Sequence, residues 1–350
     1  MSLLHSSVFN RKSFLKALQF PFPSFEEGHR GDKTSTGGLF LKPEITYQEA
    51  KKLFSQDYER LFEEARDLAE KRVTFYKNAF VPISITGLRC ELNCKHCQRH
   101  YLRHMLKAET QEKFIEVCKK LDEKGIPGIV LSGGSTRQGV VPLHRFVEAI
   151  RRVKEETSLT ILAHTGVVNE RQAKLLGEAG LDCALIDVVG SERTTKEVFG
   201  INLSPKKYIE ALKAIDKSKI RKVSPHIIVG LHFGKIVGEL KALSMLSSSR
   251  LDNIVIVVLI PTEGTAMQGI SPPSPIEIGK IIAIAKIMYP SIDIALGCVR
   301  PGKIYREAID EFALKAGATK LAVPSSKAKL VARELGLKIK EYEQMCCGWI

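Results

Sequence analysis

The stretch VPISITGLRCELNCKHC, residues 81–97, joins a short β-rich run to a loop that holds three cysteines. Residues 81–86 are mostly apolar or β-branched, which is typical of a buried strand. The loop after them carries Cys90, Cys94 and Cys97 in the spacing Cys-x-x-x-Cys-x-x-Cys. Thiols placed directly after the first strand predict that the chemistry of this chain lies at the carboxyl end of that strand.

The same rhythm continues along the chain, because further β-rich runs alternate with amphipathic helical patterns. The runs are 81–86, 128–132, 159–164, 183–189, 222–230, 253–260, 292–296 and 320–323. Several are apolar on both faces, as strands of a parallel sheet covered on both sides must be. Eight strands alternating with helices predict an α/β fold, a (β/α)8 TIM-type barrel whose sites form on the loops after the strands. A doubly wound open sheet is the alternative that this pattern leaves open.

Outside the barrel, the sequence predicts an N-terminal extension and a short tail. Residues 26–38 form a polar, glycine-rich stretch, and Thr46-Tyr-Gln-Glu49 is a capping box. The apolar stripe after the box predicts one long helix that continues to about Arg72. The predicted divisions are an extension with this helix over 1–80, the barrel over 81–335 and a tail over 336–350.

Composition excludes several classes of protein. Of 350 residues, 44% are hydrophobic and 26% are charged, so a disordered chain, a collagen-like repeat and a small disulfide scaffold are excluded. No run of about 18 apolar residues predicts a membrane span. The first residues lack the apolar stretch and cleavage site of a signal peptide, so we predict a cytoplasmic location. Lys and Arg number 53 against 39 Asp and Glu, which gives a net charge of +14.

The tight group of three cysteines indicates a metal site. In a chain of this length that lacks a secretion signal, such a group is more typical of metal binding than of disulfides. Three thiolates on one loop would leave one iron of a 4Fe–4S cluster without a protein ligand, whereas electron-transfer clusters and structural zinc sites normally have four protein ligands. Zinc with His96 or His100 as the fourth ligand is the alternative.

The loop resembles the cluster loop of radical S-adenosylmethionine enzymes, with His96 at a position where that family usually has an aromatic residue. The resemblance implies a 4Fe–4S cluster whose open iron binds S-adenosylmethionine. Reductive cleavage of that cofactor yields a 5′-deoxyadenosyl radical, which abstracts an unactivated hydrogen. It also implies an external electron donor such as ferredoxin. The cofactors carry this chemistry, so no catalytic side chain is assigned.

Further residues match positions that contact S-adenosylmethionine in that family. Ser132-Gly133-Gly134 resembles the glycine-rich turn at the methionine amino group, where glycine permits close backbone approach. The other implied contacts are Asp187 with the ribose, Lys206 with the methionine carboxylate, and Ile228 and Gly230 with the adenine. An ordinary turn at the glycines and a solvated Lys206 are the alternatives.

Over the barrel as a whole, the sequence resembles biotin synthase and its relatives. The similar segments are 166–173, 179–182, 208–212, 228–231, 264–265 and 316–318. Biotin synthase holds a second cluster, its sulfur donor, on side chains inside the barrel. In our alignment, two of its cysteine positions carry Leu162 and Ser224, and the position of its arginine ligand carries Ala295. None of these three side chains would replace the original ligands of the cluster. Biotin synthase activity itself is therefore not expected.

Three other cysteines are candidates for a second cluster. Cys298 ends the seventh predicted strand, and Cys346 and Cys347 lie in the sequence CCGWI at residues 346–350. A tail folded over the barrel mouth would bring them together. A buried, structural Cys298 is the alternative. Cys118 and Cys183 are interpreted as core residues.

This arrangement resembles one subunit of the archaeal two-component lipoyl synthases. The resemblance implies sulfur insertion into an octanoyl chain on an acidic lipoyl carrier protein, together with a second radical S-adenosylmethionine subunit. A basic barrel rim would steer such a carrier, although thermal adaptation also explains the charge.

Two alternatives for the function stay open. The first is a radical enzyme of cofactor biosynthesis that forms or rearranges C–C bonds or methylates a small molecule without sulfur transfer. The second is an RNA-binding modifier or iron–sulfur scaffold. The aromatic content of 7% offers few stacking surfaces for nucleic acid.

Overall fold

The computed structural model describes residues 43–77 and 80–349. The polar stretch at 26–38 lies outside the described residues. The strands are β1 Arg72–Tyr76, β2 Val81–Ser84, β3 Leu106–Lys107, β4 Gly128–Ser132, β5 Thr160–His164, β6 Cys183–Asp187, β7 Lys222–Val229, β8 Ile254–Val258, β9 Ile294–Leu296, β10 Lys320–Ala322 and β11 Lys338–Tyr342.

Helices alternate with these strands over most of the chain. The α-helices are α1 Tyr47–Phe54, α2 Tyr58–Asp67, α3 Gln111–Asp122, α4 Val147–Glu156, α5 Glu170–Glu178, α6 Glu192–Thr194, α7 Pro205–Asp216, α8 Glu239–Met245, α9 Pro275–Met288, α10 Lys303–Lys315 and α11 Ser326–Glu334. Single turns of 3₁₀-helix occur at Tyr101–His104, Leu143–Phe146 and Leu246–Ser248, and α6 continues as a π-helix over Thr195–Phe199.

The described strands form one parallel sheet in the order β11-β1-β10-β9-β8-β7-β6-β5-β4-β2-β3. β1 pairs with β10 and β2 pairs with β4, and only residues 77–80 separate β1 from β2 along the chain. Because so short a segment spans little distance, the two ends of the series approach each other, and the sheet curls into a partly open barrel in which no described pairing joins β1 to β2. The predicted α/β barrel-type fold is confirmed, and every predicted strand is present.

Three strands were not predicted. β3 has only two residues, and β1 begins at Arg72, where the long helix was expected to end. β11 belongs to the predicted tail and pairs in parallel with β1 along its whole length, so both chain segments outside 81–335 contribute to the sheet. Its sequence, KIKEY, is mostly charged, and three of its five residues are exposed. It therefore has no apolar run that would predict a strand.

The prediction of one long N-terminal helix is wrong. The capping box is present, with Thr46 Oγ1 accepting from Glu49 N and the Glu49 carboxylate accepting from Thr46 N. However, α1 ends at Phe54, and the Asp57 side chain accepts from Glu59 N to begin α2. An apolar stripe continues through both helices because both pack on α9, so periodicity alone did not reveal the break.

The sheet separates two apolar regions. Outward-facing strand residues pack against the helices in the main core. Inward-facing residues line the barrel interior, with Leu162 and Leu185 on one side and Val257 and Ala295 on the other. Residues 345–349 lie between these walls, so the tail fills the interior instead of covering the mouth.

A buried ion pair fixes the loops after β9 and β10. Arg300 and Asp310 are both fully buried, and the Arg300 guanidinium lies 2.8 Å from the Asp310 carboxylate. The same guanidinium donates to the carbonyl oxygens of Gly297, Ala322 and Val323 at 2.6–3.1 Å. The pair therefore holds the backbone on both sides of Cys298.

Replacing Asp310 with Ala leaves the Arg300 charge buried without its partner. We expect the free energy of unfolding to fall by about 3–5 kcal/mol, the usual cost of breaking a buried pair. Denaturant unfolding followed by circular dichroism measures this change. In the control Glu311→Ala, which removes ion pairs with half-exposed Lys315 and Lys327, we expect a loss below about 1 kcal/mol. Equal losses would contradict a stabilising role for the buried pair.

Candidate functional site

The cysteine loop follows β2, and its backbone holds a tight turn. The amides of Cys97 and Gln98 both donate to the Cys94 carbonyl, at 3.0 and 2.9 Å. Gln98 and Arg99 then adopt left-handed backbone angles, with φ of 42° and 64°. The Gln98 side chain accepts from Ala266 N at 3.0 Å, which ties the loop to the segment after β8. The loop is therefore anchored beyond its own turn.

The glycine turn after β4 lies directly against the first cysteine. Ser135 N lies 3.3 Å from Cys90 Sγ, and Glu91 N donates to Ser135 O at 3.0 Å. A Cβ on Gly134 would lie 2.0 Å from Arg89 O and 2.6 Å from Cys90 Cα. Only glycine allows this approach of two backbones. The structure thus brings Gly134 and Cys90 together.

The environment of the thiols fits an iron–sulfur cluster. Burial raises the pKa of Cys94 to about 12 and also raises the pKa of Cys97. Coordination to a cation deprotonates such thiols, and three sulfur donors suit iron–sulfur clusters. Among the described residues, no three His, Cys, Asp or Glu side chains converge on a single metal ion. A 4Fe–4S cluster does not need that convergence, because its cysteines bind different irons.

His96 presents a polar atom that nothing in the described chain satisfies. Its Nδ1 is buried and has no hydrogen-bond partner there. The ring packs against Phe199, with centroids 5.7 Å apart. Burial lowers the pKa of His96 to about 4, so the ring is neutral near pH 7. An unsatisfied buried nitrogen beside the cysteine loop fits a bound polar group there.

Asp187 and two histidines form a polar group inside the barrel. His164 Nδ1 lies 3.4 Å from Asp187 Oδ2, and the His164 and His226 rings meet edge to face at 5.2 Å. Burial opposes ionisation of Asp187, but His164 outweighs it and lowers the Asp187 pKa to about 2. Burial also lowers the pKa of His164, yet Asp187 raises it above the ordinary value. Burial and His164 lower the pKa of His226 to about 4.

The segment after β7, expected to contact adenine, is fixed by a buried glutamate. Gly230 has φ of 80°, and a Cβ there would lie 2.4 Å from the Pro273 ring. Its amide donates to Glu239 at 2.8 Å, and the same carboxylate accepts from the amides of residues 237 and 238. Ile228 is half-buried and contacts the interior cluster. The conformation of this segment is therefore set before any ligand binds.

Lys206 has no described contact with the other predicted site residues. It is exposed at the second position of α7, and the described contacts do not join it to the cysteine loop or to Asp187. Two side chains that the sequence analysis did not name as site residues, Tyr208 and Phe199, lie closer to the cysteine loop, and Phe199 packs on His96. Tyr208 is buried, and burial together with the charges of Asp187 and Cys94 raises its pKa. The π-helix that ends at Phe199 has no sequence signature, although such turns often occur at functional sites.

The tail is held inside the barrel through its backbone. Ser224 Oγ and Asn253 Nδ2 donate to Gly348 O and Cys347 O, at 2.9 and 2.8 Å. Cys183 Sγ lies 3.6 Å from Gly348 O, so this buried cysteine also contacts the tail. The Lys222 ammonium lies 4.7 Å from the centroid of the Trp349 ring. These contacts fix where the two tail cysteines lie.

Cys346 and Cys347 lie against opposite walls. Cys346 packs in the cluster of Leu162, and Cys347 packs in the cluster that contains Ala295 and Cys298. A hydrogen bond between the adjacent thiols lowers the pKa of Cys346, whereas that bond and burial raise the pKa of Cys347. Cys118 is buried in α3, as expected of a core residue.

A parallel barrel with a three-cysteine loop after its β2 strand, packed on a glycine turn, defines the radical S-adenosylmethionine class. Residues 84–234 match the family model described as the radical SAM superfamily. The chain therefore contains a radical SAM domain, and the matched region runs from the end of β2 to the segment after β7.

Curated relatives with similar sequences are biotin synthases. The protein from Pelobacter propionicus is 26% identical over 213 residues, which are 58% of this chain and 62% of that protein. The protein from Buchnera aphidicola is 27% identical over 277 residues, 74% of this chain and 77% of that protein. Among solved structures, methylornithine synthase has the same fold, with a TM-score of 0.59 and 21% identity over 86% of this chain and 95% of that one.

The chain is therefore a radical S-adenosylmethionine enzyme, and its cofactors are a 4Fe–4S cluster and S-adenosylmethionine. When bound, these cofactors supply a 5′-deoxyadenosyl radical. Cys90, Cys94 and Cys97 would hold the cluster, Gly134 packs on Cys90, and Asp187 interacts electrostatically with His96. Among the described residues, no helix is long and apolar enough to cross a membrane.

Replacing Gly134 with Ala forces the glycine turn and the Cys90 backbone apart. After anaerobic reconstitution, we expect iron bound to the loop to fall roughly twofold or more, since close-packed backbone has little room to adjust. Iron and sulfide analysis measures the loss. The matched control is Gly133→Ala, whose Cβ would meet only side chains, at 3.1 Å or more. The same loss in both variants would argue against a specific contact with Cys90.

Replacing Asp187 with Asn removes the charge that raises the pKa of His164 and leaves burial, which lowers it. We expect that pKa to fall below the ordinary 6.5, as measured by NMR titration of the imidazole in cluster-free protein. In the wild type, protonated His164 stabilises the fold at low pH, and this contribution disappears as the pH rises through the folded pKa. The pKa of His232, which lies beside Glu197, serves as the control. An unchanged His164 pKa would contradict the pairing.

Proposed function

We propose that this enzyme inserts sulfur at an unactivated C–H, as a lipoyl synthase does on an octanoyl chain attached to a carrier protein. The radical cofactor pair supplies hydrogen abstraction, and a second iron–sulfur cluster held by Cys346 and Cys347 would supply sulfur. Cys298 is the third candidate ligand. Biotin synthase relatives favour sulfur chemistry in general, and the tail cysteines favour this form of it.

The position of the tail is the observation that carries this proposal. Cys346 packs near Leu162, Cys347 packs near Ala295, and Ser224 donates to the tail backbone. These three wall residues occupy the positions where, in our alignment, biotin synthase holds its second cluster. The tail thus supplies thiols where the barrel wall lacks them.

The tail also limits the space for a substrate. Met345, Cys347 and Trp349 fill the lower interior between the two walls, so a substrate reaches the thiols from the mouth. Asp187 interacts with His96 of the cysteine loop and pairs with His164, which interacts with Cys346, and 45% of the Asp187 side chain is exposed. An extended acyl chain fits this route, because it reaches inward while its carrier stays outside.

The proposed partners follow from the same geometry and from charge. An acidic carrier protein suits a chain with a net charge of +14, because opposite charge speeds association. A second radical S-adenosylmethionine subunit would share the two insertions that a lipoyl group requires. An external one-electron donor is also required, since each cleavage of the cofactor consumes an electron.

Iron counting tests the second cluster. After anaerobic reconstitution, we expect about eight irons per chain for two 4Fe–4S clusters, and about four after Cys346→Ala with Cys347→Ala. The triple variant of Cys90, Cys94 and Cys97 to Ala should also retain about four, in the tail site. Cys118→Ala is the matched control, because this buried cysteine lies in α3 away from both sites.

A wild-type count of about four that the tail variants leave unchanged would refute a second cluster. That result favours radical chemistry without sulfur transfer, such as C–C bond formation on a small molecule. Mass spectrometry of an octanoylated carrier protein then tests the product. We expect sulfur-containing adducts with the wild type and none with the tail variants, while 5′-deoxyadenosine still forms.

A further inference from the structure

A cavity of about 580 Å³ lies beside the cysteine loop, outside the barrel. Its walls come from the segments after β2 and β4 and from the 3₁₀ turn at Leu143–Phe146. Ile85 and Phe146 in this lining belong to the core between sheet and helices. No residue of the two interior clusters lines the cavity, so it is distinct from the barrel interior.

Cys90 itself forms part of the cavity wall. The cluster position is thus separated from this cavity by little more than the Cys90 segment. The same wall includes Gly134 and Ser135, which contact Cys90. A molecule seated here would approach the cluster without passing through the substrate route.

The rim of the cavity carries a small excess of positive charge, three arginines against two glutamates. The side chains of Arg89, Arg99 and Arg145 are exposed around it, and Glu91 and Glu109 are the acidic residues of the lining. Guanidinium groups pair well with carboxylates because of their planar, two-pronged geometry. The rim thus favours an anionic partner.

The partner is better matched by a protein than by a small anion. Leu88, an exposed large apolar side chain with 42% of its surface accessible, lies on the same rim. Apolar contacts surrounded by charge are typical of protein–protein interfaces. An acidic protein with an apolar centre complements this surface.

We propose that this Arg-rimmed cavity is the docking site of the external electron donor, a small acidic one-electron redox protein. In the transfer, the donor loses one electron and the cluster gains it, and no bond or proton is exchanged. The carrier protein is the other acidic candidate, but its acyl chain must reach the barrel interior, and no residue of the two interior clusters lines this cavity. The inference rests on the radical chemistry and does not depend on sulfur insertion.

Charge reversal tests the site in the reconstituted enzyme. The variant is Arg89→Glu with Arg145→Glu, since Arg99 donates to the Cys90 carbonyl and is left intact. The probe is a plant-type [2Fe–2S] ferredoxin, titrated by calorimetry at several salt concentrations. We expect its affinity to fall at least about tenfold and to lose most of its salt dependence. The control, Arg333→Glu, makes the same charge change on exposed α11, and should stay within about twofold.

A second readout separates docking from cluster chemistry. Formation of 5′-deoxyadenosine with reduced ferredoxin should fall in the double variant, whereas formation with dithionite should match the wild type. The milder pair Arg89→Ala with Arg145→Ala should give an intermediate loss of affinity.

Unchanged ferredoxin affinity overturns the proposal. A fall with dithionite equal to that with ferredoxin also overturns it, because the arginines would then support the cluster itself. Loss of binding to an acidic carrier domain, with ferredoxin binding retained, assigns the surface to the carrier instead. A failure of sulfur insertion alone leaves both readouts intact, so the two proposals fail separately.

Discussion

The close approach of two loop backbones, at Gly134 and Cys90, is the contact on which the site depends. Two neighbouring parallel strands, β2 and β4, end side by side, and the loops after them meet without any side chain between them. The approach fixes Cys90, while the turn around the Cys94 carbonyl fixes the other two cysteines. The barrel matters to the chemistry because it places these loops at one edge of the sheet.

Much of this arrangement follows from the sequence. Buried parallel strands have continuous apolar runs, so all eight predicted strands appear in the structure, and the cysteine spacing locates the loop after β2. The elements that were missed lack such a signal. β11 is charged and exposed, and the break between α1 and α2 lies under an unbroken apolar stripe. Local hydrophobic patterns do not reveal a strand or a helix end whose position depends on tertiary contacts.

In the candidate site, too, some features follow from the sequence and others depend on tertiary packing. The glycine turn lies against the cysteine loop, and Asp187 interacts electrostatically with His96 of that loop, because each lies at the end of a strand in one sheet. The positions of Tyr208, Phe199 and the tail depend on packing between segments distant in sequence. Periodicity gave no reason to place Cys346 and Cys347 inside the barrel. The hydrogen bonds that hold them there come from Ser224 and Asn253, more than 90 residues earlier.

The tail is anchored through its main-chain carbonyls, at Cys347 and Gly348. An anchor of this kind holds whatever side chains the segment carries, because every residue brings the same carbonyl. The interior of the barrel can thus acquire new chemistry through changes in a few tail residues, while the strands that build the wall stay as they are. In this fold, the tail that lines the interior is a separable insert, and the scaffold around it need not change with it.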